Sequence, residues 1–447
     1  MDAGIGVGGL SLGKDEVLSS AFDLFSPVEV ENSISKSHVQ IFHPISATAS
    51  KGPFKFIIPP DPEKFTDAQS LRLMGRVKIQ KKGNTGVLTD FVAGDKVSVV
   101  NSFYHSLWSA VNIKLNGADI TDPTGNWYPY KAHIESLLSY SSASKNSVLA
   151  SRGFYPDTTG EFDTIDVANE GFKARGALFS TSEWNYFCIN IHADVTTLRR
   201  VLPPNIQIDV ECKRNSDEFT ILTAQPGGTA EILLSDLKLK VNRYSPSPKI
   251  KAFYNQKISK GLKPILPIDR SLIKAYTIQP GTSNLSAFNL IVGQQLPDQV
   301  LIGIVSESAY TGDYTKNPFN FKHLNLKEAS LVVNGTHEPE QKYQMNHAER
   351  DVADIYQDFL ENTGISIDDR ENGIDINSYF GGNFILAFDR TKDKCNRYHR
   401  HVTDSGAIDI NLKTHANITE TVTVIVYATY TSDLIIEEGN KVVHAIF

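Results

Sequence analysis

The chain has 447 residues, with 40% hydrophobic and 21% charged side chains, which excludes wholesale disorder. Its length suits two or three domains, each able to bury a core. A net charge of −7 and a pI near 6.0 argue against a protein whose main task is to coat nucleic acid. Phe and Tyr number 23 and 17 against three Met and three Trp, an aromatic usage that leans towards strands.

Residues 1–27 are small, Gly- and Ser-rich and slightly acidic, with Asp2, Asp15, Glu16 and Asp23 against Lys14, and read as a flexible arm that orders against a partner. No basic stretch there precedes an apolar one, so no signal peptide is expected. No apolar run approaches the roughly 20 residues of a membrane span. Cys188, Cys212 and Cys395 are too few and too scattered for a disulfide framework and are expected to be reduced, buried thiols.

Beyond the arm, period-two alternation predicts half-buried strands at Val77–Ile79, Val111–Leu115, Ile206–Val210, Leu237–Val241, Ile408–Leu412 and Val422–Val426. Gly83-Asn84, Asn116-Gly117, Pro226-Gly227-Gly228, Asn334-Gly335 and Gly381-Gly382 punctuate them as turns. Helical spacing occurs in two places. Tyr130, Ile134, Leu137 and Leu138 mark one helix over Tyr130–Tyr140. Val352, Ile355, Tyr356, Phe359 and Leu360 mark another over Arg350–Leu360, with Gly364 as its stop.

These features recur in one order. A strand ending in Asn-Gly is followed by a helix, an aromatic or apolar strand (Trp184–Ile189; Asn383–Leu386), an alternating strand and a closing strand. Asn116 and Asn334 lie 218 residues apart, and Ile134 and Ile355 lie 221 apart. The offset shrinks to roughly 185 at the end, so this is an architectural duplication rather than a short repeat. The expected fold is all-β: two tandem eight-stranded jelly rolls, each with a short helix in a long crossover loop. The expected division is an arm at 1–27, a first roll at 28–243, a linker at 244–263 and a second roll at 264–447.

Candidate chemistry is sparse. Gly4-Ile5-Gly6-Val7-Gly8-Gly9 has the outline of a dinucleotide-binding turn but no strand to deliver it. Cys395, His399 and His401 supply three soft ligands without a fourth, beside Lys392, Lys394, Arg397 and Arg400. Asp368 to Gly373 is acidic, but Arg370 stands where a calcium loop needs an oxygen. No nucleophile elbow, zinc-protease or phosphate-loop pattern occurs, so no catalytic, cofactor-binding or metal residue is assigned. Asn284, Asn334 and Asn417 are glycosylation sequons with no expected use. One charge anomaly stands out: Lys238, Lys240, Arg243, Lys249, Lys251, Lys257, Lys260 and Lys263 occur with no acid between Leu237 and Ile268. That segment reads either as a contact for a polyanion or acidic partner, or as a solvated strand face and linker.

Several segments are similar to a known family. Asn101-Ser102-Phe103-Tyr104-His105-Ser106-Leu107-Trp108 leads into Val111–Gly117, and Tyr128-Pro129-Tyr130-Lys131-Ala132-His133-Ile134 follows. In the second half come Val300–Val305, then Tyr310-Thr311-Gly312-Asp313-Tyr314, then the most specific block, Lys316-Asn317-Pro318-Phe319-Asn320-Phe321-Lys322-His323, and finally Leu331–Gly335. Together they resemble the hexon-like major capsid proteins of the adintovirus and Polinton/Maverick group and related copies in animal genomes. The match is clearest over 95–140 and 265–390 and weak over the first 40 residues and 141–180.

The resemblance implies a structural protein of the virion, made in the host cytosol, with no enzymatic activity and no cofactor. Three chains would form a pseudo-hexameric capsomer of an icosahedral DNA virus shell. Its partners would be itself, neighbouring capsomers, and penton and minor capsid proteins, with no sequence-specific nucleic acid binding. The arm and basic segment would lie at the shell-facing base. The loops near 141–180 and 336–382 would face outward. Two alternatives are a single-roll vertex or minor capsid component and a carbohydrate-binding jelly-roll protein.

Overall fold

The structure, a computed structural model, describes residues 30–45, 51–83, 86–92, 95–121, 127–224, 229–293, 295–349, 351–365, 370–394 and 400–445. The arm and its glycine motif, Cys395, His399, Asp368 and Asp369 lie outside these residues. Among the described residues, sixteen strands form the shared frame of two sandwiches, and the short strands Leu88–Thr89 and Val442–Ala445 each extend one sheet. In the first half the frame strands are β1 (Ile34–Phe42), β2 (Phe54–Ile58), β3 (Phe65–Lys82), β4 (Trp108–Leu115), β5 (Ala118–Asp119), β6 (Asn185–Asn190), β7 (Ile208–Arg214) and β8 (Thr229–Pro246). In the second they are β9 (Ile265–Ile278), β10 (Ala287–Gly293), β11 (Gln299–Ser306), β12 (Leu326–Val333), β13 (Thr336–Gln344), β14 (Ile385–Asp389), β15 (Gly406–Thr414) and β16 (Val422–Ile436).

The pairing is the same in both halves. One sheet runs β1-β8-β3-β6 and its counterpart runs β9-β16-β11-β14. The facing sheets run β2-β7-β4-β5 and β10-β15-β12-β13. All pairs are antiparallel, and each strand's counterpart is eight strands further on. This is the double jelly roll, and the presence of two rolls removes the single-roll vertex reading.

The Asn-Gly turns behave as their chemistry requires. Asn116 and Gly117 have φ of 46° and 82°, and Asn334 and Gly335 have 49° and 87°. Two positive φ values match the right-handed twist of a two-residue hairpin, and Asn and Gly tolerate them best. After each hairpin the chain leaves the sheet in a long excursion carrying a helix: α1 (Trp127–Ser139) in the first roll, α4 (Ala353–Asn362) in the second.

Two further helices depart from the sequence expectation. α2 (Glu170–Ala177) contains Gly171 and Gly176, which weaken its propensity. Both are needed for close packing, since a Cβ would lie 2.4 Å from the Pro156 carbonyl oxygen and 2.8 Å from that of Val97. α3 (Pro248–Ser259) occupies most of the expected linker. Pro248 sits in its first turn, where its missing N–H is no loss. The stretch 336–344, expected as outward loop, is strand β13. The closing strand is longer than the Leu237–Val241 core suggested, and Cys188 is exposed rather than buried.

Candidate assembly surfaces and the seam between the rolls

α1 is apolar on two sides. Tyr128 and Ala132 face the first core; Tyr130, Ile134 and Leu137 face the second, and all five are buried. A helix buried on both sides serves as a joint between layers. Reciprocally, Leu266 and Ile268 of β9 and Leu434 and Ile436 of β16 pack into the first core.

The block Lys316–His323 is the second part of the joint. Phe319 and Phe321 are fully buried, and Phe321 lies over Gly303 of β11, where a Cβ would come within 2.6 Å of its ring. His133 of α1 stacks on Phe319 with centroids 4.1 Å apart. Asn317 donates to Asp163, Asp157 and the Phe162 carbonyl, and Asn320 donates to Asp163. Asp157 in turn accepts from Arg175 at 2.5 Å, with both side chains wholly buried. The 141–180 stretch is therefore packed on the second roll. Ser142 donates to Glu371, and the Gly160 N–H donates to the Gly381 carbonyl, so the two excursions meet at one end of the molecule.

A polar cluster crosses the seam beneath them. Lys131 is 2% exposed and donates to Asp194 and Ser271, each at 2.5 Å. Ser271 of β9 donates its own N–H and hydroxyl to Asp194. Glu135 lies 3.5 Å from Lys131 and accepts from His192 at 2.6 Å and from Tyr427 of β16 at 2.9 Å. Burial alone would pull the Lys131 ammonium down, but the carboxylates of Asp194 and Glu135 outweigh it and raise it above the ordinary lysine value. Burial opposes ionisation of Glu135, yet Lys131 and His192 hold it down at about 2. Burial also pushes His133 down to about 3, aided by the cations of Lys145 and Arg175. The cluster is thus a charged joint in which one buried ammonium faces two carboxylates. Beside it opens a cleft of about 760 Å³, lined by Thr197, Arg270, Gln299, Arg370 and Thr429 among others.

The basic segment is partly neutralised. Lys238 pairs with Asp236, Lys251 with Glu63 and Lys263 with Glu437. Arg243 is 3% exposed, 3.8 Å from Asp61 and bonded to the Pro59 carbonyl. On α3, Lys249 and Lys257 are exposed, with Lys260 just beyond, and none has an ion pair among the described residues. His401 pairs with Asp393 at 3.0 Å. Among the described residues no three His, Cys, Asp or Glu side chains gather as a metal set, and no helix is long and apolar enough to cross a membrane.

The seam was not legible as a site. Lys131, Glu135, His192, Asp194, Ser271 and Tyr427 come from four elements spread over nearly 300 residues, and only the Lys131–Glu135 spacing of one helical turn hints at pairing.

Comparison with known proteins agrees with this architecture. No family model matches the chain. An uncharacterized protein of Caenorhabditis elegans is 21% identical over 324 residues, covering 71% of this chain and 75% of the relative. Among solved structures, a chain of the Sputnik virophage superposes with a TM-score of 0.62 at 12% identity, covering 98% of this chain and 94% of the other. The mavirus major capsid protein superposes at 0.53 and 10% identity, covering 97% and 96%. PBCV-1 VP54 does so at 0.55 and 9%, covering 94% and 100%. The solved structures similar to this chain are viral double jelly-roll capsid proteins, and at these identities the likeness is one of fold.

Proposed function

We propose that this chain is a structural major capsid protein whose three copies form a pseudo-hexameric capsomer of an icosahedral DNA virus shell. The observation that carries the reading is the repetition of one strand order in two rolls joined by a buried seam. Two similar rolls per chain give a trimer six similar sides, so that a three-fold object fits a six-fold site. The chemistry fits a building block: Lys131 and Asp194, the most buried charges of the seam, are paired with each other across it. The superposition over nearly the whole length of virophage capsid chains supports the same reading.

Within that class, the finer assignment is to the adintovirus and Polinton/Maverick group. The Lys316–His323 block supports it, because its residues form the joint itself, and a relative encoded by an animal suits a lineage with copies in animal genomes. Synthesis in the host cytosol, incorporation in the virion, association with penton and minor capsid proteins, and an N-terminal arm at 1–27 on the shell-facing base belong to the same proposal. So do the division at 28–243, 244–263 and 264–447 and the absence of catalytic, cofactor and metal sites. The end where the two excursions meet would face outward. Native mass measurement of the purified protein tests the reading. Three chains per particle are expected, with a hexagonal outline in negative stain; a stable monomer at micromolar concentration contradicts it.

A further inference from the structure

The two rolls repeat each other, but only one of them has its large sheet covered. In the second roll, α1 and the Phe319–Phe321 wedge lie on the outer face of β9-β16-β11-β14. Every residue of β11 and β14 is buried. The matching face of the first roll, on β1-β8-β3-β6, is open except at the end where Tyr254 of α3 packs edge-on against Phe65. Val39 is 58% exposed, Ile41 50% and Tyr186 72%. Lys240 and Arg72 stand directly opposite each other on β8 and β3, and neither has a carboxylate in ion-pair reach among the described residues. Like charges in cross-strand register destabilise an isolated sheet, so their pairing points to something that neutralises them.

The helix that would reach the next roll is α4. Like α1 it turns one side to its own roll, through Ile355 and Phe359. Its other side carries Asp354, Gln357, Asp358 and Glu361 where α1 carries Tyr130, Lys131 and Ile134. Asp354, Gln357 and Glu361 are exposed, Asp358 is half-buried and bonded by Tyr343 of its own roll, Glu361 accepts from Gln357, and no cation among the described residues pairs with the three acids. The apolar contact within the chain thus has a charged counterpart: an acidic helix side, and a sheet face on which Arg72 and Lys240 have no ion pair among the described residues.

We propose that the outer face of β1-β8-β3-β6 receives the acidic side of α4 from a second copy of this chain, with Arg72 and Lys240 meeting Asp354 and Glu361. This rests on the capsomer reading and names the surfaces that make it. The contact is head-to-tail, each chain offering one face and one helix, so it closes into a ring once the rotation does. Its joint differs from the one inside the chain because separately folded subunits must keep both halves soluble until they meet.

The test is a pair of charge reversals read by native mass. R72E/K240E is expected to shift the particle from three chains to one, and D354K/E361K to do the same. All four changes in one chain are expected to restore three. Far-UV circular dichroism of each variant should match the parent, since the changed residues lie outside the cores. In the unmodified protein, carbodiimide cross-linking of mixed ¹⁴N and ¹⁵N chains should join Lys240 of one copy to Asp354 or Glu361 of another. Trimeric R72E/K240E with no such cross-link overturns this interface while leaving the capsomer intact. A monomeric unmodified protein overturns the capsomer itself.

Discussion

The outer faces of the two large sheets began from one plan and ended in different environments. On the second roll the face is covered by the first roll's own excursion, so β11, β14 and the first half of β16 are buried on both sides. On the first roll the same face meets solvent, and β3 alternates strictly between buried and accessible positions along Leu71–Ile79. The same topology therefore imposes two sequence patterns: a near-continuous apolar run where both faces are covered, and alternation where one is not. The contrast also divides the energetics. Substitutions in the covered face act on the fold of the chain, and substitutions in the open face act on what the chain joins.

The sharpest way to break the contrast is to empty the wedge. Phe319 is fully buried between His133, Tyr130 and Phe219. Phe319→Ala is expected to destabilise the chain by about 4 kcal/mol, from lost transfer energy and the cavity left behind. Denaturant unfolding checks this, and a loss below about 1 kcal/mol would show that the two rolls do not depend on the wedge. Next comes the charged joint. Asp194→Ala takes from Lys131 its nearest carboxylate, leaving Glu135 at 3.5 Å, and is expected to lose about 3 kcal/mol. The triple variant Lys131→Met/Asp194→Leu/Glu135→Gln should recover most of that loss, because it removes the buried ammonium and both of its carboxylates together. If the triple variant is as weak as the single, the cluster does more than offset its own charges.

Much of the fold could be read from residue order. The Asn116-Gly117 and Asn334-Gly335 hairpins and the helices after them established the duplication, because those turns have few chemical alternatives. The strands whose second face is solvent showed their period, whereas Val422–Val426, expected to be half-buried, is buried on both faces with Thr423 inside. Three things stayed hidden. α3 was masked by Pro248, whose meaning depends on whether it falls in a first helical turn. α2 was masked by glycines kept for close contact with Pro156 and Val97. The seam was masked because its residues are far apart in the chain and unremarkable alone. Its strongest trace was the Lys316–His323 block, whose specificity now has a cause: two buried rings, and Asn317 and Asn320 tied to the first roll.

Acid should separate the two surfaces by a smaller margin. His133, held at about 3, and His105, held low by its burial, then by His192 and Arg152 despite Glu135, are neutral in the folded chain. Unfolded, each takes a proton near its ordinary value of about 6.5. Their stabilisation is therefore complete above that value and is lost as the pH falls from there towards 3. Each contributes a slope of about 1 kcal/mol per pH unit. Glu135, held at about 2, adds a further loss once the pH drops below its ordinary 4.5. Unfolding free energy measured between pH 7 and 4 should fall, and His133→Phe, which keeps the stack on Phe319, should flatten the slope. An unchanged slope in that variant would move the acid sensitivity away from the seam.

The smallest effect on the chain belongs to Tyr186. Its ring is mostly in solvent, with the Arg76 guanidinium 5.8 Å from its centroid. An exposed contact of that kind contributes about 0.5 kcal/mol. Tyr186→Ala in the R72E/K240E background, where the sheet face stays uncovered, should therefore leave the unfolding midpoint nearly unchanged. In the otherwise unmodified chain the same substitution removes an aromatic anchor from a face that another copy covers, and the concentration at which the particle dissociates should rise. Aromatic side chains carry weight in an interface only once water is excluded around them. A Tyr186→Ala variant that unfolds early but dissociates normally would reverse the roles assigned to the two faces: the open sheet would then be a structural surface, and the acidic side of α4 would need a different partner.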